Sequence, residues 1–580
     1  MKTVKLKING RQVEVPEGST ILEAARKINI DIPTLCYLKG INQIGACRMC
    51  VVEIKGAKTL QAACVYPASE GLEVLTNTPK LRQARKTTLE LILSNHEMNC
   101  LTCVRNGKCE LQKLAESLGV DKIRFQNENT HKAIDDSTVS IVRDTNKCIL
   151  CRRCVATCMN IQKVGAIGVN ERGYESIVEP AFGKGLEEVP CVNCGQCIIN
   201  CPVGAIYEKS DIKKVWNALN NPEMHVIAQT APAVRVALGE EFDMDIGTNV
   251  KGKMVTAIRH MGFDKVYDTN FAADLTVMEE GYELINRIKT GGKLPLITSC
   301  SPGWVKYCEY FYPEFLDNLS SCKSPHEMMG AVMKSYYAEK NNIEPSNIFV
   351  VSVMPCTAKK FEAVRPELSA AGYPDVDAVI TTRELARMIR ESGIDFKNLP
   401  DEQFDPVFGD STGAAIIFGT TGGVMEAALR TVSEILNDKR LDNVNITDVR
   451  GLEGVREAVI NAGGMKIKAA VAHGLGNARE LLNMVKSGEK QYHFIEIMAC
   501  PGGCINGGGQ PIVNANIRLQ KDYIKLRAQA IYAEDRNLPI RKSHENPSIV
   551  KLYDEYLGEP NSHKAHQLLH THYIPREKYC

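Results

Sequence analysis

The segment "LITSCSPGW", Leu296 to Trp304, runs a short apolar strand straight into a thiol, a hydroxyl and a proline turn. Two further apolar, β-branched runs end the same way, "IFVVSVMPC" at Cys356 and "FIEIMAC" at Cys500. Continuous apolar strands of this length suit parallel sheets covered by helices on both faces. More such runs, "HVIAQTAP", "DAVITT" and "KAAVAHG", alternate with helical stretches such as "VTAIRHMG" and "TTRELARMIRES". In open α/β sheets ligands gather beyond the carboxyl ends of the strands. Cys300, Cys356 and Cys500, joined by Cys504, are therefore predicted to converge on one buried site.

Composition limits what that site can be. A chain of 580 residues suggests several domains. With 44% hydrophobic and 24% charged residues it has the make-up of an ordinary globular protein. A formal net charge of +1 offers neither a basic surface for nucleic acid nor an acidic tail. No uninterrupted apolar run reaches the roughly 18 residues of a membrane helix. The N-terminal "MKTVKLKINGRQVEV" alternates like a strand pair and lacks the apolar core of a signal peptide. The expectation is a cytoplasmic chain with no membrane span and no nucleic-acid partner. Its 22 cysteines lie mostly in tight groups before residue 202, which in such a chain points to metal rather than to disulfides.

Those groups fall into three segments. "VKLKINGRQVEV" predicts two strands around an Asn9-Gly10 hairpin turn, and "STILEAARKI" a helix with a Thr20/Glu23 capping box. Cys36, Cys47, Cys50 and Cys64 follow, a set able to surround a [2Fe–2S] cluster. The gap between the first two exceeds the four residues of plant-type spacing, so the segment reads as a variant loop on a β-grasp ferredoxin domain, residues 1–78. An amphipathic helix, "LRQARKTTLELILSNH", then leads to His96, Cys100, Cys103 and Cys109 within 79–125. Three thiolates and an imidazole complete a [4Fe–4S] site; zinc accepts the same set, and spacing leaves both open. Within 138–209, "CILCRRCVATC" and "CVNCGQCIINCP" repeat C-x₂-C-x₂-C-x₃-C, the bacterial two-cluster pattern in which each fourth cysteine crosses over. One cluster is assigned Cys148, Cys151, Cys154 and Cys201, the other Cys191, Cys194, Cys197 and Cys158.

The stretches "TSCSPGW" from Thr298, "MPCTAKKFE" from Met354 and "EIMACPGGCINGGGQP" from Glu496 resemble the three signatures of the [FeFe]-hydrogenases. The resemblance spans the whole chain and is nearest the large catalytic subunit of multi-subunit enzymes. It implies a multidomain α+β and α/β fold, with a two-lobed α/β catalytic domain of parallel sheets over 210–515 and a helical, small-subunit-like region over 516–580. It implies reversible interconversion of dihydrogen with protons and electrons at an H-cluster, a [4Fe–4S] cubane joined to a two-iron unit carrying carbonyl, cyanide and an amine dithiolate. Three further [4Fe–4S] clusters and one [2Fe–2S] cluster would relay electrons.

Carried onto this sequence, Cys504 bridges the two parts and Cys356 and Cys500 bind the cubane. Lys359 donates to a cyanide, and Pro232, Met354, Phe418 and Met498 wall the cavity. Cys300, Glu280, Ser320, Glu283 and Arg287 form the proton relay. Where the family has adjacent cysteines this chain has Cys300 and Ser301, which puts a serine at the cubane-ligand position by strict register; the alternative is that Cys300 moves in to ligate. Ala233 and His326 stand where many members have Ser and Gln.

Two electron outlets imply more than one partner: flavin-bearing NAD(P)-reducing subunits and ferredoxin, with electron bifurcation between them as one form of that coupling. A formate dehydrogenase partner, making a hydrogen-dependent CO₂ reductase, is an alternative, as is a sensory, assembly or electron-relay relative. No nucleotide fingerprint contradicts the need for partners, since "GLGNAR" from Gly474 has Arg479 at the third glycine. "GTTGGVMEAALR" reads as a glycine-rich helix start against the site. His544, His563, His566, His570 and His572 read as surface or packing residues, and Cys308, Cys322 and Cys580 have no assigned partner.

Overall fold

Alternating apolar residues build the first domain in the computed structural model, which describes residues 2–126, 131–409, 411–441 and 443–578. Strands β1 (Thr3–Ile8) and β2 (Arg11–Pro16) pair antiparallel, and every second residue of β1 is buried. Asn9 and Gly10 between them both take positive φ, 49° and 79°, as a two-residue hairpin of this hand requires. The helix Ile21–Lys27 opens on a capping box: Glu23 N–H donates to Thr20 Oγ1 at 3.2 Å and Thr20 N–H to Glu23 Oε2 at 3.0 Å. β3 (Val51–Ile54), β4 (Gln61–Ala62) and β5 (Glu73–Leu75) complete a sheet of order β2-β1-β5-β3-β4.

The helix Pro79–Ser94 turns Leu81, Leu89 and Leu93 inward and delivers the chain to the second group of cysteines. In the duplicated segment β6 (Ile141–Arg143) pairs with β9 (Ile206–Glu208), and the hairpin β7 (Gly168–Asn170) and β8 (Ile177–Glu179) lies between them in sequence. Two short helices, Arg153–Ala156 and Gln196–Asn200, occupy equivalent places in the repeat, each preceded by a left-handed residue, Arg152 (φ 62°) or Gly195 (φ 67°).

The catalytic part carries β10 (His225–Thr230), β11 (Lys265–Asp268), β12 (Leu296–Ile297), β13 (Ile348–Met354), β14 (Ala378–Thr381), β15 (Val455–Ala462), β16 (Met465–His473) and β17 (Phe494–Met498). One sheet, β11-β10-β13-β14, is wholly parallel. The other, β12-β17-β16-β15, is parallel except for its edge, where β15 folds back on β16. β15 alternates buried and exposed residues, as an edge strand with one wet face should, whereas β17 is buried throughout.

Helix Asn270–Thr290 packs on Gly423–Asn437 and on Pro325–Val332, tying the lobes together. The C-terminal helices share these cores: Ile549, Leu552, Leu557, Leu568 and Leu569 join the core of the first sheet. Buried ion pairs, Arg430 with Asp535 at 3.0 Å and Arg527 with Glu240 at 2.6 Å, fasten the helix Tyr523–Asn537. "GLGNAR" starts the helix Leu475–Lys486 and serves docking: Leu475 N–H donates to Gln162 of the duplicated segment at 3.0 Å, and a Cβ on Gly476 would lie 2.5 Å from the Ile161 carbonyl oxygen. No helix among the described residues is long and apolar enough to cross a membrane.

Candidate active site and metal centres

All 21 described cysteines are free; Cys580 lies outside the described residues. In the first domain Cys36 N–H donates to Cys47 Sγ at 3.4 Å, Cys50 and Cys64 sulfurs lie 3.3 Å apart, and Cys36 also contacts Cys64, so the four thiols form one group. A 3₁₀ turn, Cys100–Thr102, carries Cys100 to Cys103, and Cys109 has Cys103 as an electrostatic neighbour. His96 is half-buried, and its Nδ1 is buried with no hydrogen-bond partner among the described residues, a free donor atom of the kind a metal site needs. A Cβ on Gly204 would come within 2.5 Å of Cys103 Sγ, so this glycine lets the duplicated segment close over the site.

The crossed arrangement of the duplicated segment is present in space. Cys148, Cys151, Cys154 and Cys201 line one cavity, and Cys158, Cys191, Cys194 and Cys197 line another. Burial pushes these thiols up, Cys148 and Cys158 to about 11 and Cys194 to about 12. Neutral thiols gathered in fours are sites that a bound cation would deprotonate, the donor set iron–sulfur clusters take.

Beyond the sheets, Cys356 follows β13, Cys500 follows β17, and Cys504 starts the turn Cys504–Asn506. Cys500 has Cys356 and Cys504 among its electrostatic neighbours, and Cys504 has Cys356, so the three meet. Glycines make the approach possible. Gly509 N–H donates to the Pro355 carbonyl at 2.8 Å, and a Cβ on Gly508 would lie 2.6 Å from Gly195 Cα of the duplicated segment. Cys194 is a further electrostatic neighbour of Cys500, which sets the second cavity beside this site.

Cys300 shares an apolar cluster with Phe418, Met498 and Cys504, and Ala233 belongs to the same cluster. Pro232 is buried at the start of the helix Pro232–Arg235, and Met354 closes the first-sheet core two residues before Cys356. Ser301 turns the other way: its Oγ accepts the Ala499 N–H at 3.2 Å, next to Cys500.

Lys359 Nζ donates to Glu362 Oε2 at 2.6 Å and to the Cys300 carbonyl at 3.2 Å. His326 Nε2 lies 2.7 Å from the same Glu362 oxygen and 3.1 Å from Glu327, and its Nδ1 lies 3.2 Å from Ser352 Oγ. Burial raises the Glu362 carboxyl, but Lys359 and His326 outweigh it and hold it well below its ordinary value. His326, Glu327 and Glu362 place ligand atoms within 4.8 Å of one another, yet the Lys359 ammonium already supplies the cation.

The relay residues form a line. Glu280 is the foremost charged neighbour of the Cys300 thiol. Ser320 contacts Glu280 and donates to Glu283 Oε2 at 2.8 Å, and Arg287 donates to Glu283 Oε1 at 2.6 Å. Burial, with the Glu283 charge adding, pushes Glu280 up to about 8.

Residues 224–508 match the family described as iron only hydrogenase large subunit, C-terminal domain, and 521–576 match iron hydrogenase small subunit. Residues 1–79 match a 2Fe-2S iron-sulfur cluster binding domain, 85–124 an NADH-ubiquinone oxidoreductase-G iron-sulfur binding region, and 147–205 a 4Fe-4S dicluster domain. The chain is 50% identical over 589 residues to the NADP-reducing hydrogenase subunit HndD of Solidesulfovibrio fructosivorans, covering 100% of both chains. It is 44% identical to iron hydrogenase 1 of Clostridium pasteurianum, covering 99% of this chain and 100% of that one. The chain belongs to the iron-only hydrogenases. An apo structure of the [FeFe]-hydrogenase HydA1 from Chlamydomonas reinhardtii, in a variant form, is 41% identical with a TM-score of 0.57, over 64% of this chain and 100% of that chain.

As an iron-only hydrogenase with iron–sulfur relay domains, the chain holds features its sequence did not announce. Glu496 lies on β17, and its carboxylate accepts the N–H groups of Gly422 at 2.6 Å and Met425 at 2.7 Å. The anion at the glycine-rich helix start is thus the protein's own. Glu362 had a visible signal, three residues after Lys359 in "KKFE", but its partner His326 comes from another element. Among the tail histidines, His544 meets Glu434 and His570 meets Glu279, each at 3.0 Å. Cys308 is buried with its sulfur 3.3 Å from the Tyr312 carbonyl oxygen, and Cys322 lies 3.9 Å from Glu283.

Proposed function

We propose that this iron-only hydrogenase interconverts dihydrogen with two protons and two electrons as the hydrogen-handling subunit of an NADP-linked assembly. The meeting of Cys356, Cys500 and Cys504 beside a buried carboxylate relay is the observation that carries the reading. These three thiols would hold the H-cluster, with Cys504 the bridging donor and Ser301 Oγ at the fourth cubane position. When bound, that group supplies the cleavage and formation of H₂.

The chain's own residues do the rest. Phe418 and Met498 keep the pocket apolar, so few waters compete there. The Lys359 ammonium, anchored by Glu362, is aimed from the Cys356 loop toward Cys300 and offers its remaining donor capacity to anionic ligands. Cys300 Sγ takes the proton and passes it to Glu280, which stays protonated through neutral pH. Ser320 Oγ hands it on to Glu283, and Arg287 holds that carboxylate toward solvent.

Electrons would travel from Cys500 to the neighbouring Cys194 site. Three further [4Fe–4S] clusters, one of them at His96, and one [2Fe–2S] cluster would offer outlets to flavin-bearing NADP-reducing subunits and to ferredoxin. The 50% identity to a subunit named for NADP reduction supports this placement.

The test is to load the apo chain with its clusters and record infrared bands of iron-bound carbonyl and cyanide together with hydrogen evolution. Loaded protein without those bands, or without turnover, overturns the reading. Direct NADP reduction by the isolated subunit overturns the partner assignment.

A further inference from the structure

One carboxylate on the relay helix has no part in the scheme above. Glu279 is fully buried, and it precedes Glu283 by four residues on Asn270–Thr290, which sets the two side chains next to each other on one face. Among the described residues no lysine or arginine pairs with it. Its Oε2 accepts the Asn561 N–H at 2.9 Å and lies 3.0 Å from His570 Nε2, and its Oε1 accepts the Tyr553 hydroxyl. The His570 side chain is 5% exposed, and its Nδ1 lies 2.8 Å from Ser321 Oγ. Its ring stacks on that of exposed His566 with centroids 3.9 Å apart. The Cys322 thiol sits among the carboxylates, 3.9 Å from Glu283, with Glu280 and Glu279 as further neighbours. His563 and Glu283 also act on His566.

We propose that Glu279, His570 and His566 form a second proton exit from Glu283, parallel to the one past Arg287; this rests on the hydrogen-converting reading. Arginine holds its proton at any physiological pH, so Arg287 orients Glu283 and leaves the transfer to water. Carboxyl, thiol, hydroxyl and imidazole groups, by contrast, each both take and give a proton, and such groups follow one another as neighbours from Glu283 past Cys322, Glu279 and His570 to the surface helix His563–Leu569. Outward, a proton on Glu283 passes beside Cys322 to Glu279. From there it goes to His570 Nε2, while the ring releases its other proton from Nδ1 toward Ser321 and the neighbouring His566, and so to water. No electron moves and no bond between heavy atoms changes.

The test uses the full loaded chain. Arg287→Met, His570→Ala and His566→Gln are made singly and combined, and hydrogen evolution is measured with the infrared bands as the control for an intact iron centre. Parallel exits predict that Arg287→Met with His570→Ala loses roughly tenfold more turnover than the product of the two single losses. Added imidazole should restore the double variant and leave Arg287→Met alone unchanged. His566→Gln, an exposed change with little leverage on folding, should show the same dependence on the Arg287 background. Losses that simply multiply, or a double variant that imidazole does not revive, overturn the branch. A wild-type chain with bands and no turnover overturns the underlying function and the branch with it.

Discussion

Glu280→Gln keeps the shape of a buried relay residue and removes its titration. Burial lifts Glu280 from 4.5 to about 8, and 3.5 units at 1.36 kcal/mol each place its ionised form about 5 kcal/mol above the neutral form, relative to water. At pH 7 about nine in ten folded chains therefore carry a proton there. Because the folded value lies above the unfolded one, folding takes up a proton between these limits. The stability contribution is complete below pH 4.5 and is lost as pH rises to 8. Glutamine feels no such loss, so the variant should gain on the wild type by about 3.5 kcal/mol between pH 5 and pH 8, and by only about 0.4 kcal/mol more above that. Hydrogen exchange on the helix Asn270–Thr290 reads this locally, which suits a multidomain chain that does not unfold in one step. Turnover should fall roughly 10²- to 10⁴-fold, since an amide cannot relay the proton, while the infrared bands persist. A variant that turns over like the wild type, or whose stability difference ignores pH, would refute the relay.

Ser301→Cys replaces a hard oxygen donor by a softer thiolate and should raise the cubane's midpoint potential in an electron paramagnetic resonance titration; an unchanged potential removes Ser301 from the ligand set. Lys359→Met leaves the buried Glu362 with His326 alone, at a local cost of about 3–5 kcal/mol. It should abolish the carbonyl and cyanide bands while cubane iron is retained. Gly195→Ala forces a side chain onto a residue at φ 67° and within 2.9 Å of Gly508 Cα, a strain of about 1–3 kcal/mol. Hydrogen evolution driven through the accessory clusters should drop more than evolution driven by a small viologen that reaches the catalytic domain directly.

The features legible in the sequence are those whose physics is local. Asn9-Gly10, the Thr20/Glu23 box and the repeated cysteine runs each act over a few residues, and each appears where spacing put it. The helical offset of Glu280 and Glu283 was also readable. Their burial was not, because it depends on Ser320 and on the lobe that covers them. The antiparallel edge β15 was missed because "VREAVINA" alternates without a cysteine or a long apolar run to draw attention. Glu496 with Gly422, His326 with Glu362, and Glu279 with His570 pair across 36 to 291 positions, beyond any periodicity. The run Gly507–Gly509 was quoted as part of a signature, but its purpose appears only once Pro355 and Gly195 occupy the space that side chains would take.

Neighbouring residues in extended backbone point to opposite sides, and the Cys300 and Ser301 side chains do so here. Ser301, with φ −103° and ψ 95°, directs Oγ to the Ala499 N–H, toward Cys500 and the Cys194 cavity. Cys300 faces Phe418, Met498 and Glu280. On the proposed reading electrons leave on the serine side and protons on the cysteine side, so exchanging serine for cysteine at 301 alters a potential without touching the relay. That independence explains how a hydrogenase could accept a serine at a ligand position: the change falls on the path where cluster potential can be retuned. The buried Glu280, whose raised value depends on its own pocket, stays as it was. A pH–rate profile that moved with Ser301→Cys would contradict the separation, because the raised value of Glu280 comes chiefly from its burial and from the Glu283 charge.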